Sequence, residues 1–148
     1  MADSRAQLNQ FLVEVFHDVM RLEEQELLKG PFKNLSVTEM HVIEAACDGQ
    51  EKKENTMAAL AARLRVSAGS LTIAVKTLEQ KGYLLRQRSK ADRRRVLVQP
   101  TSLGQKAYEV HRAFHRRMVE SVCTQLKPEE LEALTAALGV LHRFFGGI

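Results

Sequence analysis

A mainly α-helical fold carrying one small β-hairpin is predicted for this 148-residue chain by three features of its sequence. Apolar residues recur at helical spacing in six stretches, whereas only two short runs, residues 83–89 and 95–99, are compatible with strands. The two runs are separated by the charge-dense Lys90-Ala91-Asp92-Arg93-Arg94. Charge is also local. Residues 56–104 hold ten Lys/Arg against two acids, near +8, while the remainder is near −4, so the overall +4 conceals a strongly basic third of the chain.

The bulk properties bound the answer. At 16.7 kDa, with 45% hydrophobic and 27% charged residues, the chain suits a single compact domain spanning 1–148. No apolar run approaches the roughly 20 residues that span a bilayer, and Met1-Ala2-Asp3-Ser4 does not open a secretory signal, so a cytoplasmic location is expected. Cys47 and Cys123 form no CxxC pair and are expected to be free, buried thiols. The pI of about 9.3 suits a polyanionic partner, and the clustering of the cations argues for one more strongly than the total does.

Each element follows from its residues. Leu8, Phe11, Leu12, Val15, Phe16, Val19, Met20 and Leu22 predict one long amphipathic helix from about Arg5 to Lys29, stopped by Gly30-Pro31. Ser36-Val37-Thr38-Glu39 has the form of a capping box and starts a helix to about Cys47; residues 48–55 then read as a polar loop. Thr56 caps a short helix through Leu64, and Val66-Ser67 turns into a second, capped by Ser67 and closed by Gly82. Two helices joined so tightly form a helix-turn-helix, and the hairpin after them forms a wing. Pro100 ends the second strand, Thr101 caps a long helix, and Lys127-Pro128-Glu129-Glu130 starts the last one. The predicted organisation is a winged helix-turn-helix over residues 36–104, flanked by a helical dimerisation layer from residues 5–30 and 105–145.

In such a unit the start of the second helix needs small polar groups that fit the major groove. Ser67, Ala68, Ser70, Thr72 and Ile73 meet that need: the hydroxyls donate or accept, Ala68 and Ile73 suit thymine methyls, and Lys76 reaches base or phosphate. Lys90, Arg93, Arg94 and Arg95 are placed to follow a narrow minor groove, whose negative potential attracts guanidinium. Asp92 is expected to hold Arg94 in a bidentate carboxylate pair.

The run Ser67–Arg86 (SAGSLTIAVKTLEQKGYLLR), the wing Asp92-Arg93-Arg94 and the following Thr101-x-x-Gly104 resemble the MarR family of bacterial winged-helix regulators over essentially the whole chain. Within it, residues 32–41 (FKNLSVTEMH) and 114–120 (FHRRMVE) are similar to the repressors of bacterial fatty-acid synthesis genes. That resemblance implies a homodimer on a palindromic operator, with long-chain acyl groups on acyl carrier protein as corepressor. Arg95, a third arginine, and Pro100 before Thr101 depart from the subgroup pattern.

An effector site between the dimer layer and the winged helix has Phe11, Val15, Phe16, Val19, Leu22, Met40, Ile43, Phe114 and Met118 as candidate walls. Glu24, His41, His111 and His115 are candidate metal ligands, since His111 and His115 lie four apart on one helix face and the set resembles the site of the zinc-sensing branch. The alternative is a MarR-type regulator with another small effector, such as a zinc-sensing repressor. No cofactor is expected. No GxSxG, P-loop, Rossmann glycine pattern or HExxH occurs in the sequence, so it is not read as an enzyme.

Overall fold

The computed structural model describes residues 2–147. The long amino-terminal helix is present, with a feature the apolar spacing did not predict. Helix α1 (Ala2–Gln10) passes through a single wider π-helical turn, Phe11–Val15, into α2 (Phe16–Lys29). Gln10 and Phe16 at the two joints both keep right-handed helical backbone, so the path is continuous. Gly30 then adopts extended backbone and ends it.

Helix α3 (Val37–Glu51) begins with the predicted capping box: Ser36 Oγ accepts from the Glu39 amide at 3.1 Å and a Glu39 carboxylate oxygen accepts from the Ser36 amide at 2.9 Å. It runs one turn beyond Cys47, so half of the expected 48–55 loop is helical. Gly49 explains the difference. A Cβ there would lie 2.8 Å from the Glu54 carbonyl, so only glycine lets the returning chain pack against that last turn. The last residue of that loop pairs with the wing: Asn55 Nδ2 donates to the Val98 carbonyl at 2.8 Å, and the Val98 amide donates to the Asn55 carbonyl at 2.8 Å.

Helices α4 (Met57–Leu64) and α5 (Ala68–Gln80) are separated by Arg65, which takes the left-handed conformation at φ 55°. The hairpin pairs β1 (Leu84–Arg88) with β2 (Val96–Pro100) in antiparallel register, Leu84 opposite Pro100 and Arg88 opposite Val96. Pro100 therefore sits at the last rung, where its missing donor does not interrupt the ladder. Helices α6 (Ser102–Thr124) and α7 (Pro128–Gly146) complete the chain.

Packing divides the chain into two compact units after His111, inside α6. The reason is burial: Ala107, Tyr108 and His111 of α6 are all enclosed in the first unit. The core of that unit is built on Met40, Ile43, Leu60, Leu71, Val75, Leu78, Leu84 and Val98, each fully buried. Burying one such side chain stabilises the fold by about 1.5–3 kcal/mol. Cys47 belongs to this core, and burial, followed by the nearby acids Asp48, Glu51, Glu44 and Glu109, pushes its thiol up to about 12. In the second unit, α7 starts with Pro128 at its first position and the Lys127 amide donating to Glu130 at 2.9 Å. Cys123 is half-buried rather than enclosed.

One glycine fixes where α6 can start. A Cβ on Gly104 would meet the Tyr83 carbonyl oxygen at 2.2 Å, a contact with backbone that no rotamer relieves. Gly104→Ala is expected to lower stability by about 2–3 kcal/mol or more, read as a reduced urea midpoint. A midpoint equal to wild type would show that α6 can move away from Tyr83 freely.

Candidate nucleic-acid interface

Helix α5 has two distinct faces. Leu71, Val75 and Leu78 are buried against the core, while Ala68, Gly69, Ser70, Thr72, Ile73 and Lys76 are exposed. Ile73 is 69% exposed, the highest value among the exposed large apolar side chains of the described residues. The Ser67 hydroxyl accepts from the Ser70 amide at 3.1 Å and donates to Ser70 Oγ at 2.9 Å, so its work is capping. Ser70 keeps its own hydroxyl proton for an outside acceptor. Thr72 donates to the Ala68 carbonyl at 2.8 Å and so presents acceptor lone pairs and a methyl group outward.

The wing is a tight turn held by its own polar atoms. Asp92 meets Arg94 as expected, but not as a two-oxygen fork: Oδ1 alone accepts from the Arg94 amide at 3.1 Å and from Arg94 Nε at 3.3 Å. With only one residue between them, the carboxylate folds back onto the backbone as an Asx turn, and the guanidinium cannot present both edges to it. The Arg95 amide donates to the Asp92 carbonyl at 3.0 Å, and the Arg95 carbonyl accepts from the Ser89 amide at 2.9 Å. Arg94 remains 92% exposed on this frame, and Lys90, Arg93 and Arg95 are exposed beside it. Arg88, absent from the sequence reading, supports the tip from β1 by donating to the Arg93 carbonyl at 3.4 Å.

A second polar cluster lies at the other end of α5. Lys81 Nζ donates to the Asn34 carbonyl at 2.5 Å and to both carboxylate oxygens of Glu39 at 2.9 and 3.0 Å. Tyr83 donates its hydroxyl to Asn34 Oδ1 at 2.7 Å. Burial pushes the Glu39 carboxyl up, but the Ser36 amide and the Lys81 ammonium outweigh it and hold the group below its ordinary 4.5. The stabilisation from this pair is therefore present above pH 4.5 and is lost as pH falls through the lowered value.

Among the proposed metal ligands, the carboxylate that meets His41 is that of Glu23, at 3.0 Å from Nε2, and not that of exposed Glu24. Glu23 is only 6% exposed. It falls on the face of Val19 and Leu27, one helical turn either side, whereas Glu24 falls with Met20 and Leu28; both faces look apolar in sequence. His111 Nε2 lies 3.1 Å from a Glu44 oxygen, and the His41 and His111 rings meet edge to face with centroids 6.0 Å apart. His115 follows one turn later on α6, in the second unit.

The candidate effector walls differ in exposure. Phe11, Val15, Phe16 and Leu22 are exposed on the long helix, Val19 is half-buried, and Met40 and Ile43 are sealed in the core. Phe114 and Met118 are half-buried in the second unit. Among the described residues of the first unit, clefts of about 170, 430 and 200 Å³ open, and these are lined by none of the candidate effector walls. The largest runs between Met20, Glu24 and Leu28 of α2 and Leu35, Ser36 and Val37 at the start of α3.

This architecture is shared with FabT of Streptococcus pneumoniae, solved in complex with DNA: 32% identity, TM-score 0.89, with 97% of this chain and 98% of that one covered. The MarR family pattern matches residues 50–96, from the last turn of α3 to the start of β2. This chain belongs to the MarR family. BldR of Sulfolobus solfataricus is similar at 26% identity and TM-score 0.67, covering 96% of this chain and 97% of that one. MepR of Staphylococcus aureus, in a DNA complex, shares the MarR fold at 19% identity and TM-score 0.77, over 93% and 95% of the two chains. No curated protein sequence gives a match.

The two hydroxyls at the start of α5 separate structure from recognition. Ser67→Ala is expected to cost about 1 kcal/mol in a urea melt through the lost cap, and Ser70→Ala a few tenths. Equal losses would mean that Ser67 is not the capping group.

Proposed function

We propose that this MarR protein is a DNA-binding transcriptional repressor that acts as a homodimer in the cytoplasm, by binding and not by catalysis. The observation that carries the reading is the outer face of α5, where a 69%-exposed Ile73 stands among Ser70, Thr72 and Lys76 on a helix whose other face is entirely core. An apolar side chain held in solvent beside small hydroxyls suits a groove with thymine methyls and base-edge acceptors. Ser67 and Ala68 set the close approach at the amino-terminal end of the helix. Lys90, Arg93, Arg94 and Arg95, on a turn braced by Asp92, suit phosphates and a narrow minor groove. Residues 36–104 form the reading unit in this proposal, and residues 5–30 and 105–145 of two copies form the dimer layer. Exposed Phe11, Phe16, Val119, Val122, Phe144 and Phe145 in those ranges supply its apolar surface. Two reading helices related by a two-fold axis call for a palindromic operator.

Regulation of fatty-acid synthesis genes, with long-chain acyl carrier protein as corepressor, is supported by the resemblance of residues 32–41 and 114–120 to that subgroup and by the 32% identity to FabT. A zinc-responsive alternative is favoured by one observation, the convergence of Glu23, His41, Glu44 and His111 between α2, α3 and α6. Operator affinity measured with long-chain acyl carrier protein, with zinc and with neither separates the two. Tightening by the acyl protein alone is expected, and an effect of zinc alone would select the other reading.

DNA binding itself is tested with a duplex enriched by the protein from a random pool. Affinity is expected to fall steeply with salt, and Arg94→Ala to weaken it about tenfold while lowering the log–log salt slope by about 1 per arginine withdrawn, with the dimer mass unchanged in sedimentation. Unaltered affinity and slope for Arg94→Ala would remove the wing from the interface.

A further inference from the structure

Lys81 belongs to the basic third of the chain by sequence but not by geometry. Its ammonium has three protons, and the three acceptors within reach are all protein atoms: the Asn34 carbonyl and both oxygens of Glu39. Both partners of the pair are partly enclosed, with side chains 28% and 16% exposed, so salt screens them less than it screens a surface pair. Glu39 is also tied to the Ser36 amide, and Asn34 receives the buried Tyr83 hydroxyl. The residue that ends α5 and the residue that leads into β1 are thus both fastened to one short turn, residues 34–39, which joins α2 to α3.

We propose that Lys81, Glu39 and Asn34 form a clasp that sets the pose of α5, so that operator affinity depends on residues that touch no nucleic acid. The proposal rests on α5 being the DNA-reading helix. The two ends of α5 are held unequally. Leu71, Val75 and Leu78 seat the helix in the core along its length, a slippery, non-directional contact, and the carboxy-terminal end adds three directional bonds to one ammonium. Loss of the clasp leaves α5 folded but free to rock about its buried face. Displacements of about 1 Å at a recognition surface are enough to cost substantial affinity. Lys81 is a positioning residue on this account, and its charge is not available to a phosphate.

Salt dependence distinguishes the roles. Lys81→Met, Lys81→Arg, Glu39→Gln and the Met/Gln double variant are titrated with the selected duplex at several salt concentrations, with far-ultraviolet circular dichroism and sedimentation on each. Glu39→Gln retains the acceptor for the Ser36 amide, and Lys81→Arg retains the charge and a fork that matches Glu39, so both keep the fold. Lys81→Met and Glu39→Gln are each expected to weaken binding about tenfold with the wild-type salt slope, the double variant to be no weaker than either single one, and Lys81→Arg to bind nearly as wild type. A slope lowered by about 0.9 in Lys81→Met with no effect of Glu39→Gln would make Lys81 a phosphate contact and overturn the clasp. Wild-type affinity in all variants would overturn it as well. Absence of salt-steep binding by the wild-type protein is a different failure, that of the DNA-reading role of α5, and the clasp proposal falls with it.

Discussion

The carbonyl oxygen of Tyr83 is the point at which α5, the hairpin and α6 meet. It accepts from the Thr101 amide at 3.0 Å and from the Thr101 hydroxyl at 3.1 Å, and the same hydroxyl also reaches the Gly82 carbonyl at 2.6 Å. Thr101 Oγ1 in turn accepts from the Gly104 amide at 3.1 Å and so caps α6. One side chain closes the base of the hairpin and starts the next helix. Gly82, at φ +87°, turns the chain out of α5 immediately before this joint. The spacing Thr101-x-x-Gly104 is then a packing requirement: the cap fixes where the first turn of α6 lies, and that turn passes too close to Tyr83 for any Cβ.

Charge in the basic third is less uniform than its total of ten cations. Arg63 pairs with Asp48 at 3.2 Å, Lys81 with Glu39, and Arg86 with Glu79 at 2.6 Å. Each of these pairs links different elements of the winged unit and contributes to its shape. Asp48 also receives the Tyr108 hydroxyl, so α3, α4 and α6 share one carboxylate. The cations of the wing turn are exposed, and the one acid among them, Asp92, is directed at the backbone of its own turn.

The caps, the helix-turn-helix and the hairpin were legible in the sequence because each is written locally: Ser36 and Glu39, Thr56, Ser67 and Thr101 all bond within three or four residues of themselves. What escaped the sequence was non-local. The clasp joins residues 42 and 47 apart, Asn55 pairs with Val98 across 43, and nothing near Lys81 announces its partners. That Glu23, and not the Glu24 named from the sequence, meets His41 was hidden for a related reason. A wide apolar stripe gives a carboxylate apolar neighbours on either face, so periodicity alone does not tell which one turns inward. Asp92 was matched to the right arginine but the wrong geometry, since sequence supplies the pair and only the turn supplies the angle.

The wider turn at Phe11–Val15 gives the long helix a property that its length does not suggest. A π turn accommodates one residue more than an α turn over the same rise, so the side chains of residues 3–10 are out of phase by about 100° with where an uninterrupted α-helix from 16–29 would put them. A one-residue deletion in this segment can be absorbed by reverting it to α geometry, which leaves the preceding helix at nearly its original angle around the axis. The segment thus acts as a phase adjuster: converting it to α geometry at unchanged length re-aims one end of the helix while the other end keeps its seat on α3, and loss of one residue there leaves the aim intact.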